Sequence, residues 1–258
     1  MKQLNTMNFQ ALLALGFAMF GGSASASDFD ISNPTFFLDI DAGYSIFKSE
    51  LVQSNDTGIT TRYAFGVNGG ASRQIGMLFA RESSTIAFKN TASTMAMSWQ
   101  DIDLRYRLGP FYVGLVVSST SWAVTSPPRV AGKIDATGSA ADYIDLVGSG
   151  YGGNFGLQLP VGRRNSMYGD VTYVTTGTVQ QKAAGATGSA AASAAAARVS
   201  TIGPRMEVDL GAALGLGHSS FDAMCGFKYR TYSVSVDGTA SKELLNTTYV
   251  GLRTNWTF

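Results

Sequence analysis

The stretch that decides the fold is Trp99-Gln-Asp-Ile-Asp-Leu-Arg-Tyr-Arg-Leu108. Successive side chains of a β-strand point to opposite faces. Ile102, Leu104, Tyr106 and Leu108 therefore share one face, and Asp101, Asp103, Arg105 and Arg107 share the other. One face is apolar and the other fully charged. The same alternation occurs in Phe37-Leu-Asp-Ile-Asp-Ala-Gly-Tyr-Ser-Ile46, where Asp39 and Asp41 oppose Leu38 and Ile40. It occurs again over 204–216, where Arg205, Glu207 and Asp209 oppose Met206, Val208 and Leu210. A soluble sandwich could bury the apolar faces, but polar faces rich in Gly and matched in charge fit it less well.

Working outward, the period-two pattern predicts about ten antiparallel strands, with eight or twelve also compatible. They fall near 35–48, 60–71, 75–89, 95–108, 111–124, 143–159, 166–178, 199–216, 221–236 and 244–258. Connections after the even strands are short, such as Gly109-Pro110 and Val161-Gly-Arg-Arg-Asn165. Those after the odd strands are mostly longer, including 125–142 and 179–198. Short turns at one end and long loops at the other predict a transmembrane up-and-down barrel, with short turns and both mature termini periplasmic and long loops extracellular. Two strands change parity: Ile75, Met77 and Phe79 against Ile86 and Phe88, and Tyr229 against Tyr232. A bulge near Arg81-Glu-Ser83 would reconcile the first.

Composition agrees. Charged residues are 14%, against roughly 25% in soluble domains. Lys2, the apolar run Ala11–Phe20 and the small residues Ala24 and Ala26 read as a cleaved signal peptide, residues 1–26, leaving a barrel domain at 27–258. The apolar run is too short to span a bilayer as a helix. Removing Lys2 with that leader leaves acids and bases equal in number, which argues against nucleic acid as a partner. Cys225 is the only cysteine, so no intrachain disulfide forms. It shares a face with Phe221, Ala223 and Phe227 and reads as lipid-facing.

The chain ends Tyr249-Val-Gly-Leu-Arg-Thr-Asn-Trp-Thr-Phe258, with Trp256 and Phe258 on one face. This resembles the terminal β-signal of bacterial outer-membrane proteins. The resemblance, with small barrels of the outer-membrane protein A, outer-membrane protein W and omptin kinds, implies the barrel-assembly machinery as a partner beside outer-membrane lipid. Aromatic residues near strand ends suggest interfacial girdles: Phe36, Phe37, Phe111, Trp256 and Phe258 at the short-turn end, and Phe47, Tyr63, Phe88, Trp99, Trp122 and Tyr143 at the other.

Parity puts fourteen charges inside: Asp39, Asp41, Arg62, Asp101, Asp103, Arg105, Arg107, Asp170, Arg205, Glu207, Asp209, Lys228, Arg230 and Arg253. A ten-stranded lumen is only slightly wider than one that side chains fill, so these charges must pair. They would form either a structural plug or an ion-selective constriction passing small solutes. The competing class is surface recognition or adhesion through 125–142 and 179–198, the second of which holds the Ala-rich run 183–197. That run is either a recognition loop or a tolerated insertion.

An enzyme is not expected. His218, the only histidine, falls in a periplasmic turn, and Asp222 beside it lies on the wrong side of the membrane for a surface hydrolase. Asp101 and Asp103 have Arg105 beside them, which suits ion pairing better than acid catalysis. No metal motif is present, and Gly148–Gly153 lacks the strand–helix setting and Lys-Ser/Thr of a phosphate loop. No cofactor is implied.

Overall fold

The computed structural model describes residues 34–50, 54–69, 74–89, 94–125, 145–162, 165–175, 179–181, 200–216, 220–236 and 239–257. The expected signal peptide, His218, Tyr143, Phe258 and the Ala-rich run lie outside them. Ten long strands and one short one form the wall: β1 (Thr35–Ser49), β2 (Ser54–Gly69), β3 (Ile75–Ala87), β4 (Thr94–Leu108), β5 (Phe111–Thr125), β6 (Asp145–Val161), β7 (Asn165–Val174), β8 (Val179–Gln181), β9 (Ser200–Gly215), β10 (Phe221–Val236) and β11 (Thr239–Thr257). Every ladder is antiparallel. Strands follow chain order around the wall, β1 pairs with β11, and β5 with β6 completes the circle. The three-residue β8 pairs with β6 beyond the end of β7. The protein is a closed, up-and-down, ten-stranded barrel.

Closure satisfies backbone groups without lipid or water, the condition for crossing a membrane with strands. Turns at the short end need little chain. Gly109 and Gly162 take φ of 64° and 78°, a region glycine enters without steric cost.

The odd-strand connections are less uniform than expected. Two are long, 126–144 and 182–199. Of the expected loop 237–243, residues 239–243 are strand, with Val236 paired to Thr239. The intervening Asp237-Gly238 is, as sequence, a strong two-residue hairpin signal.

No bulge occurs near Arg81–Ser83. Both ladders of β3 run straight through that point. In β10 the wall is also regular; the shift lies opposite, where β9 fits an extra residue between Ile202 and Arg205. Gly203 and Pro204 fall there, and Pro, lacking an N–H, is tolerated where the ladder is interrupted.

The parity changes have another cause. Across β3, β4 and β5 the outward rows Ile75–Tyr106–Val113, Met77–Leu104–Leu115 and Phe79–Ile102–Val117 are apolar. The next two outward rows are Arg81–Gln100–Ser119 and Ser83–Ser98–Ser121. Inside, polarity changes the opposite way. Arg105, Asp103 and Asp101 give way to Trp99, Met97 and Met95 on β4, while β3 passes to Ile86 and Phe88.

Buried apolar residues consequently gather inside the long-loop half. Phe47, Ile86, Phe88, Met95, Met97, Trp99, Trp122, Tyr232, Val234 and Leu245 form one cluster. Trp99 stacks on Tyr232 at 5.8 Å between ring centroids, and Trp122 meets the same ring edge-on at 5.3 Å. Phe47, Phe88, Trp99 and Trp122 are thus core residues and not the expected outer girdle; only Tyr63 of that set faces outward among the described residues. At the short-turn end Phe36, Phe111 and Trp256 do face outward, with Phe36 stacked on Phe65 and Phe111 on Phe155. Phe37 instead faces inward, against Gly66.

Candidate functional site

The site is the lumen of the short-turn half. All fourteen charges named from parity project there from the wall strands, most of them buried or half-buried, with Arg107 exposed near the mouth. They form distinct pairs. Arg253 holds Asp39 in a two-pronged contact, Nε and Nη2 each 2.7 Å from a carboxylate oxygen. Arg62 meets Asp41 at 3.1 Å. Arg205 reaches across to Asp101 at 2.7 Å, and the Ser118 hydroxyl donates to the same carboxylate. Arg105 pairs with Asp103 at 2.5 Å, and the Asn154 amide also donates to Asp103.

The centre of the network is Glu82, which was not among the fourteen. It accepts from Lys228 at 2.7 Å and from Arg230 at 2.6 Å. Arg230 also reaches Glu207 at 2.6 Å. Lys228 lies 4.0 Å from both Glu207 and Asp209. The Glu82, Lys228 and Arg230 side chains are about 4% exposed or less. Burial this deep requires pairing, because each desolvated ion costs several kcal/mol, of order 3–5 if one partner is removed. The expected bulge at 81–83 left the side of Glu82 undetermined. Its opposite partners, Arg62 on β2 and Trp99 on β4, are the signal that could have placed it inside.

Two of the fourteen stand apart. Asp170 accepts from the hydroxyls of Tyr112 and Thr172, and Arg107 donates to the Gly109 carbonyl and the Gln158 side chain near the short-turn mouth. Neither has a salt-bridge partner among the described residues.

Rings and glycines set the shape of this half. Tyr112 sits directly across the ladder from Gly156, Tyr168 from Gly211 and Tyr249 from Gly226. A Cβ on any of these glycines would collide with the facing ring, so their absence lets the rings lie close against the wall. Cations then cover the rings: Arg105 lies 4.7 Å from the Tyr112 centroid and Lys228 5.4 Å from that of Tyr249. Deeper, Arg230 lies 4.3 Å over Trp99, joining the charged layer to the apolar cluster above it. Each such contact is worth roughly 0.5–2 kcal/mol. Between the rings runs a cavity of about 440 Å³. It extends from mouth residues Arg107, Gln158 and Asn255 to Glu82, Arg230 and Trp99.

The outer surface has the complementary composition. Ile40, Phe65, Met77, Leu115, Phe155, Leu210 and Leu252 are all 39% exposed or more. A wall apolar outside and ionic inside suits a hydrocarbon surround. The fold is a closed β-barrel whose wall has the polarity expected of one set in lipid.

Several solved structures are similar to it. The outer-membrane protease OmpT of Escherichia coli matches over 88% of this chain and 98% of its own, at 9% identity and a TM-score of 0.47. Neisserial surface protein A matches over 85% and 96%, at 12% identity and 0.39. The β-domain of the Bordetella autotransporter BrkA matches over 87% and 100%, at 9% identity and 0.42. No family profile and no curated protein matches the sequence.

Of the remaining sequence candidates, His218 lies outside the described residues. Asp222 sits at the mouth and accepts from Asn255 at 3.4 Å. Gly148–Gly153 is wall strand within β6. Cys225 is on the outer face. Among the described residues no cluster of metal-ligating side chains occurs.

Proposed function

We propose that the chain is an integral outer-membrane barrel with a structural role, closed to solutes at rest. Short turns and both mature termini face the periplasm, and the connections 126–144 and 182–199 face the cell exterior. The observation that carries this reading is a lumen filled in series: an ion-pair layer around Glu82, then an apolar layer around Trp99 and Trp122. A water-filled pore needs a continuous polar path, which these stacked layers interrupt. The test is solute uptake by liposomes holding the refolded protein. Swelling in small sugars should match protein-free liposomes, and porin-like swelling would overturn the reading.

Surface recognition is the second reading. The two long connections leave from neighbouring strands, since Leu146 on β6 pairs with Gln181 on β8. A filled barrel would hold both loop bases in fixed proximity. Excising 183–197 should then abolish binding to cells while the barrel still folds; retained binding would remove this segment from the reading. Assembly through the terminal signal is part of the same proposal. Trp256 faces outward near the end of β11, and deleting Phe258 should reduce the amount reaching the outer membrane.

A further inference from the structure

We infer that the bilayer covers only the short-turn half of the barrel in the β3–β5 and β10 sector, and that the long-loop half there stands in water as a collar with its own apolar core. This rests on the membrane reading above and specifies which part of the wall lipid touches. Two independent observations converge on it.

The first is the inversion of polarity at constant parity. The outward row Phe79–Ile102–Val117 is followed by Arg81–Gln100–Ser119 with no break in either ladder. The Arg81, Gln100 and Ser119 side chains are exposed. An outward Arg near the bilayer midplane costs roughly 2–4 kcal/mol, falling to about 0–1 at an interface. On β10 the same step separates outward Phe227 and Tyr229 from outward Thr231 and Ser233, while Tyr232 and Val234 turn inward and become buried. A wall polar outside and apolar inside is the organisation of a protein in water, where burial of apolar surface drives folding.

The second is length. The long strands other than β7 run 13–19 residues, whereas a tilted strand crosses the hydrocarbon core in about 9–11. The outward apolar runs are correspondingly shorter than their strands: Phe111–Val117 on β5 and Phe221–Tyr229 on β10. On β1 and β2 they continue to Ile46 and Ile59, so the boundary sits higher there and the barrel axis leans relative to the membrane.

Cys225 supplies a built-in reporter, since it is exposed on the outer face between Phe221 and Phe227. The experiment measures labelling by a charged, water-soluble maleimide in lipid nanodiscs. It uses the native protein and three single-cysteine variants on a C225S background: Gln100→Cys, Ser119→Cys and Leu115→Cys. The collar positions should label as fast as in urea-unfolded protein, while Cys225 and Leu115→Cys lose labelling until detergent or urea is added. Protection of all four would overturn the collar and leave the membrane reading standing. Rapid labelling of all four would overturn the membrane reading and the collar with it.

Discussion

On β4, Trp99 and Asp103 point into the same lumen, four residues apart, yet their surroundings obey opposite rules. Trp99 lies among methionines and aromatic rings, 1% exposed. Asp103 lies between Arg105 and Asn154 beside an open cavity. Outside, Gln100 and Leu104 make the reverse contrast. The strand does not slip between them, so geometry is constant and the surrounding medium differs. Where the outer face meets hydrocarbon, the inside collects charge; where the outer face is polar, the inside collects carbon.

Substitutions can break that contrast, beginning with the largest effect. Glu82→Ala removes the anion shared by Lys228 and Arg230 and should cost at least about 3–5 kcal/mol. Trp99→Ala opens a cavity in the apolar layer and should cost about 3–5 kcal/mol, whereas Gln100→Ala beside it should stay within about 0.5 kcal/mol. Urea unfolding of the lipid-refolded protein measures all three. If Gln100→Ala costs as much as Trp99→Ala, the polarity of the collar has been misassigned.

A charge placed on the outer face gives the next largest contrast. Leu115→Arg and Ser119→Arg lie on the same face of β5, with the outward Val117 between them. The first should cost about 2–4 kcal/mol and the second about 0–1. Equal costs would place both positions in the same medium.

Smaller differences should appear within the cavity. The Arg105 side chain is 28% exposed while Asp103 is 3% exposed. Asp103 keeps the Asn154 contact when Arg105 is lost. Arg105→Ala should therefore cost about 1–3 kcal/mol, between the values for buried and exposed pairs. Arg107→Ala, at the exposed mouth, should cost under about 1 kcal/mol. A loss for Arg107→Ala equal to that for Glu82→Ala would show one uniformly buried network instead of a graded one.

Much of this was legible from period two alone. Strand number, the wall order and the inward side of the fourteen charges follow from alternation and turn residues such as Gly109-Pro110. Alternation reports which residues share a face but not what that face meets. A change in the parity of apolar residues fits either a slipped strand or a changed medium. Ile86, Phe88 and Tyr232 were read as evidence of slippage, and only the unbroken pairing of Arg81 with Gln100 separates the two causes. The same ambiguity hid Glu82 and sent Phe47, Phe88, Trp99 and Trp122 to a girdle. Asp237-Gly238 differs: its turn signal is short-range and stands in the sequence itself.

A lumen closed by charge beneath carbon should show itself in the planar-bilayer conductance of the refolded protein. The parent protein should pass no sustained single-channel current, with openings appearing when Trp99→Ala and Glu82→Ala are combined and the barrel remains folded. A steady, ohmic channel in the parent protein would contradict it.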